Sequence, residues 1–68
     1  MIRINSEFIL EKLKEMGLSQ GELAFKSGVS SAFMTMMLAS KAMPSVIKLK
    51  RIALILEVKM DDLIIMEN

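Results

Sequence analysis

Gly17-Leu18-Ser19-Gln20-Gly21-Glu22-Leu23-Ala24-Phe25-Lys26-Ser27-Gly28-Val29-Ser30 is the stretch whose punctuation decides the fold. Ser19 and Glu22 have capping-box spacing, in which the Ser hydroxyl takes the third amide of a helix and the Glu carboxylate reaches back to the Ser amide. Leu18 in front can staple onto Leu23, and the helix so begun runs to about Ser27, where Gly28 closes it. Only Val29 separates that glycine from Ser30, itself an N-cap residue. Two short helices are therefore joined by a tight glycine-containing turn.

Working outward, the same marks recur and no alternation is long enough to build a sheet. A first helix begins after Asn5 or Ser6, presents Ile9, Leu10, Leu13 and Met16 on its apolar face, and stops at Gly17, with Ile2 and Ile4 extended before it. The helix after Ser30 runs from about Ser31 to Ala39 with Met34, Met37 and Leu38 buried. Pro44-Ser45 starts a fourth helix with a core stripe of Val46, Leu49, Ile52, Ala53 and Leu56. A fifth, from about Asp61 to Met66, places Asp61 and Asp62 at its positive end and Leu63 and Ile64 toward the core. The expectation is an all-α protein, a compact five-helix bundle formed by a single domain over residues 1–68.

Sixty-eight residues allow one domain and a small core, since a chain of this size buries only about 60% of its unfolded surface. With no Cys and no His, disulfides, zinc ligation and imidazole catalysis are excluded. No metal or cofactor is implied, and no small-molecule ligand is evident. Ser19 and Ser30 already have capping roles, and Asp61 and Asp62 are placed at the start of the expected fifth helix, so enzymatic activity is not expected. The longest apolar runs, such as Ile52-Ala53-Leu54-Ile55-Leu56, fall far below the ~20 residues of a membrane helix, and the N-terminus lacks a secretory apolar segment. A cytoplasmic protein without membrane contact is expected. The net charge is +1 but unevenly spread: residues 1–22 sum to −1, residues 23–56 hold five cations and no acid, and residues 57–68 sum to −3.

Gly17-Leu18-Ser19-Gln20, Glu22-Leu23-Ala24, Ser27-Gly28-Val29-Ser30, Leu38, Lys41, Pro44-Ser45, Leu49, Ile52-Ala53 and the segment Val58 to Leu63 together resemble the Cro/C1-type (Xre) helix-turn-helix family. The resemblance covers about residues 8–64. It implies a five-helix bundle of the lambda-repressor-like DNA-binding type, a phage or bacterial transcription regulator that binds operator DNA as a homodimer. A helix enters the major groove N-terminus first, so the base-facing positions of the third helix are Ser30, Ser31, Ala32, Thr35 and Met36. The resemblance gives Gln20 a place near a phosphate, bracing the recognition side chains. Ser19, Ser45, Lys26 and Lys41 complete the phosphate-contacting set through helix-terminal amides and point charges.

Several positions depart from the family pattern. Position 31 is Ser where Arg or Gln is common, position 32 is Ala, position 36 is Met, Ala39-Ser40 replaces an Asn-Gly pair, and Ala42 replaces a frequent basic residue. The third helix thus holds no Arg, Lys, Asn or Gln and can make no bidentate contact to guanine or adenine. Ser and Thr hydroxyls and apolar contacts to thymine methyls remain. Each bidentate pair is worth ~1 to 3 kcal/mol of discrimination, so direct readout is expected to be weak. Ser40 in a left-handed conformation would cost up to about 1 kcal/mol; otherwise the loop, and Lys41 with it, is displaced. Phe25, Ile47, Leu54, Ile65 and Met66 are apolar where the family is polar, and the last four suggest a dimer surface on the fourth and fifth helices, or else packing against Ile2 and Ile4. The eight Met residues are expected chiefly as core fillers, Met36 excepted. A sequence-specific duplex-DNA-binding regulator is the leading expectation. The alternative keeps the fold with weakened or lost DNA binding, as a protein-interaction module such as an antirepressor or dimer partner.

Overall fold

Each helix begins where a side-chain oxygen takes an otherwise unpaired amide and ends where the chain turns left-handed. The computed structural model describes residues 1–67 and runs β1 (Ile2–Ile4), α1 (Ser6–Met16), α2 (Gln20–Ser27), α3 (Ser31–Leu38), α4 (Val46–Leu56), a 3-10 turn (Met60–Leu63) and β2 (Ile64–Met66). Asn5, Ser19, Ser30 and Ser45 are the four N-caps, accepting from the amides of Phe8, Glu22, Phe33 and Lys48. The capping box at Ser19 and Glu22 is formed.

The C-termini share one device. The amides of Leu18, Val29, Lys41 and Val58 reach back five residues to the carbonyls of Leu13, Ala24, Met36 and Ala53, at 2.8–3.0 Å. This is the Schellman closure, and it needs a left-handed residue just before each donor. Gly17 and Gly28 supply it at φ 65° and 76°, where the absence of Cβ removes the clash. Ser40 and Glu57 supply it at φ 62° and 58° with a Cβ in place. Ser40 therefore keeps the glycine-like conformation, and the loop carrying Lys41 is not displaced to avoid it.

The C-terminal segment differs from the expected fifth helix. Met60–Leu63 make one 3-10 turn, and Ile64–Met66 are a strand paired antiparallel with β1, in register Ile2↔Met66, Arg3↔Ile65 and Ile4↔Ile64. The described residues hold four α-helices and a small hairpin rather than a five-helix bundle. Two adjacent β-branched residues, Ile64 and Ile65, favour extended backbone, and pairing satisfies strand amides of both termini that a lone N-terminal strand would leave open. The hairpin is extended by reciprocal bonds between Met1 and Glu67 and by Asn5 N donating to the Leu63 carbonyl at 2.8 Å. Arg3 and Glu67 pair across its outer face.

The core is Ile4, Ile9, Leu13, Leu23, Ala24, Met34, Met37, Leu49, Ile52, Ala53, Leu56 and Leu63. Val46 lies outside it at 70% exposure, because the first turn of α4 overhangs the stripe at 49, 52, 53 and 56; Pro44, just before it, is buried instead. Leu10 and Met16 are likewise exposed, leaving Ile9 and Leu13 as the buried face of α1 with Phe8 packed alongside. Leu38 is half-buried. Of the eight methionines only Met34 and Met37 are fully enclosed, so core filling accounts for few of them. Ser27 is the one buried polar residue among those described, its hydroxyl donating to the Leu23 carbonyl at 2.7 Å.

Relief of the two left-handed side chains should stabilise the domain. Ser40→Gly and Glu57→Gly are each expected to raise stability by ~0.5 to 1 kcal/mol, read as a higher urea midpoint at unchanged m-value. Glu57→Gly should give the larger gain, since it also removes a carboxylate from the negative end of α4.

Candidate nucleic-acid interface

The site is built on α2 and α3, and its geometry starts from the turn between them. Gly28 reverses the chain directly after Ser27, the Val29 amide closes back on Ala24 at 3.0 Å, and Ser30 caps α3 by accepting from Phe33 N at 3.0 Å. From the other side Lys48 of α4 donates from Nζ to the Gly28 carbonyl at 2.9 Å. A Cβ on Gly28 would lie 3.1 Å from an Arg51 guanidinium nitrogen and 3.2 Å from Lys48 Nζ. Two cations thus sit at the negative end of α2, where they offset its dipole. The sequence reading missed this pair as site residues; their i, i+3 spacing on α4 was the available signal.

Ser31, Ala32, Thr35 and Met36 are exposed and lie on one face of α3, while Met34 and Met37 occupy the opposite, buried face. Ser30 is exposed at the cap. Gln20, first residue of α2, donates from Nε2 to Thr35 Oγ1 at 3.1 Å, and Thr35 Oγ1 donates in turn to the Ser31 carbonyl at 3.1 Å. The brace that the family resemblance implied for Gln20 is present, spanning fifteen residues of sequence.

The other sequence-derived positions are placed as follows. Ser19 and Ser45 spend their hydroxyls as acceptors for the amides of Glu22 and Lys48, at 3.0 and 3.3 Å. Lys26 is exposed in the last turn of α2, and Lys41 is exposed just after α3. Glu22 is the one acid in α2. Its carboxyl titrates below its ordinary value, first because the Ser19 amide donates to it, then through the Ser19 hydroxyl, with Lys26 adding attraction and slight desolvation opposing. Ile47 and Leu54, at 66% and 70% exposure, share the outer face of α4 with Lys50 and Arg51. Ile65 and Met66 lie on the hairpin instead of a fifth helix, Ile65 half-buried and Met66 exposed, so the four residues are carried by α4 and a strand and not by a fourth and a fifth helix as expected. Phe25 stands out from α2 at 87% exposure.

No helix of the described residues is long and apolar enough to cross a membrane, and no group of three or more acidic, His or Cys side chains among them could hold a metal ion. Two open clefts, of about 250 and 430 Å³, lie around β1 and the residues following α3; neither is lined by a residue of the α3 outer face.

A helix-turn-helix family model matches residues 9–63. The restriction-modification controller protein C.AhdI from Aeromonas hydrophila, known from a crystal structure, is similar at a TM-score of 0.73 and 23% identity, with 84% of this chain and 86% of that chain covered. At that identity the likeness bears on the fold. No curated protein matches the chain.

The turn should be sensitive to a single methyl. Gly28→Ala is expected to cost ~1 to 2 kcal/mol in urea unfolding, from the positive φ, since the crowding side chains of Lys48 and Arg51 can swing away. The capping box makes its own pH signature. A carboxyl depressed in the fold contributes stability above its unfolded value and loses it as pH falls through the folded one, so the wild type should lose stability over that acid range and Glu22→Gln should lose less of it, seen in melts between neutral pH and pH ~3.

Proposed function

The chain belongs to the Cro/C1-type helix-turn-helix family of DNA-binding regulators, and from that premise we propose that it occupies a duplex operator by docking α3 in the major groove. The observation that carries this reading is the brace from Gln20 to Thr35, which locks α2 to α3 while the whole outer face of α3 is left free of core duties. Ser30, Ser31, Ala32, Thr35 and Met36 face the bases. The helix starts at Ser19 and Ser45, with Gln20, Lys26 and Lys41, meet the phosphates. Residues 23–56 carry no acid, so a polyanion meets no repulsion from that segment. The domain occupies its site and thereby excludes other proteins. The likeness to a restriction-modification controller protein supports a regulatory role on such a fold.

Homodimerisation through the outer face of α4, centred on Ile47 and Leu54, belongs to the same proposal, with Ile65 and Met66 of the hairpin as a secondary contact. Exposed apolar side chains grouped on one helix face are better covered than solvated. The same exposure, together with Phe25, also favours a second reading in which the fold serves as a protein-interaction module. DNA binding separates the two.

Fluorescence anisotropy against a mixed-sequence duplex at ~50 mM and ~200 mM salt should show affinity falling by orders of magnitude at the higher salt. Lys41→Ala should weaken binding about equally on every duplex and lower the slope of log affinity against log salt by about one. Absence of binding at both salts would leave the interaction module standing.

A further inference from the structure

The outer face of α3 carries four side chains, and their hydrogen-bonding capacity is nearly spent. Thr35 Oγ1 gives its proton to the Ser31 carbonyl and accepts from Gln20 Nε2, both at 3.1 Å, so Thr35 has no proton left for a base and keeps only one acceptor lone pair beside its methyl. Ala32 offers only a methyl. Met36, at 46% exposure, offers a flexible thioether chain. The Ser31 hydroxyl is the single polar group on this face with no side-chain hydrogen bond among the described residues, and the Ser30 hydroxyl beside it is already an acceptor for Phe33 N. Ala32 and Met36 are therefore apolar and Thr35 adds a methyl, on a helix without charge.

A·T and G·C pairs each present three polar groups in the major groove: N7, N6 and O4 in one, N7, O6 and N4 in the other. A face with one or two single hydroxyls satisfies neither set, and water must serve the rest of both. The difference that such a face can detect is the C5-methyl of thymine, an apolar group that gains from contact with Thr35, Ala32 and Met36. Resting on the DNA-binding reading above, we infer that α3 selects its site by the thymine C5-methyl group, so that its preferred half-site is rich in A·T pairs and its specificity is a count of methyls.

The brace makes this specific to the fold rather than to composition. Were Thr35 unbraced, its hydroxyl could turn toward a base edge. Held between Gln20 and Ser31, the hydroxyl has no proton to give a base, and Thr35 meets the groove chiefly through its methyl.

The test compares duplex polymers that differ only in that group: poly(dA-dT) against poly(dA-dU), and poly(dG-dC) against its 5-methylcytosine form, by competition anisotropy with the full chain. Binding should be tighter to the methylated member of each pair by about fourfold per methyl contacted, the factor expected for burying one such carbon. Thr35→Ser keeps the hydroxyl bridge and deletes the methyl, and should shrink both ratios by about that factor. Equal affinity within each pair, with a steep salt dependence, would overturn methyl reading while leaving DNA binding intact. No salt-dependent binding to any of the four would overturn the DNA-binding reading and this inference together.

Discussion

The left-handed turn at Gly28 is the constraint from which the rest of the site follows. Its φ of 76° lets Val29 close α2 and sends the chain at once into Ser30, which caps α3. A longer connection would put Thr35 out of reach of Gln20, and the outer face of α3 would then be held by core packing alone. α4 takes part at the same point: Lys48 satisfies the Gly28 carbonyl and Arg51 fills the space a side chain would need. Three helices thus meet around a residue whose useful property is having no Cβ.

Helices of eight to eleven residues are marginal alone in water, so a domain built of four of them depends on finishing every end. Side-chain acceptors finish the four starts and Schellman closures the four stops. Two of those stops use Ser40 and Glu57, residues poorly suited to the conformation, which places modest strain on both sides of α4. The hairpin compensates at the level of the whole chain. It ties the two termini together, buries Ile4 beside Leu63, and joins α1 to the 3-10 turn through Asn5 N and the Leu63 carbonyl. Ser6 adds a link from α1 to the end of α3 by donating to the Leu38 carbonyl at 2.6 Å.

What could be read from the sequence was what is local. The capping box spans four residues and the two glycine stops are single letters, so α2, the turn and the start of α3 were legible in place. The hairpin was not, because its partners are sixty residues apart and each strand is three residues long, too short to show alternation. Ile64 and Ile65 carried the β-branched signal, but the acids before them read equally well as a helix start. Glu57 was missed as a stop because nothing in its chemistry announces a left-handed residue; only the Val58 amide closing on Ala53 reveals it. In the site, the exposed face of α3 followed from helical periodicity, and the Gln20 brace came from family resemblance, since no spacing rule joins residues fifteen apart. Lys48 and Arg51 were visible as charges but not as neighbours of Gly28, which is a fact of how α4 crosses α2.

The division of charge gives the proposed interface its logic. α3 carries no ionisable side chain over its eight residues, while the cations of the central segment lie outside it: Lys26 in the last turn of α2, Lys41 after α3, Lys48 and Arg51 beside Gly28, and Lys50 on the exposed face of α4. Coulombic attraction to phosphate falls off slowly with distance and is indifferent to sequence, whereas apolar contact needs touching surfaces and is short-ranged. On the proposed docking, with the first on the flanks and the second on α3, affinity is separated from selection. Substitutions on α3 then shift which site is chosen at nearly constant electrostatic attraction, and substitutions on the flanks shift how tightly any site is held. An arginine on α3 would merge the two roles, since it would contact guanine and phosphate alike. The uncharged α3 of this protein keeps them apart, and on the proposed reading its selectivity rests on how closely Gln20 and the Gly28 turn hold a few methyl groups in place.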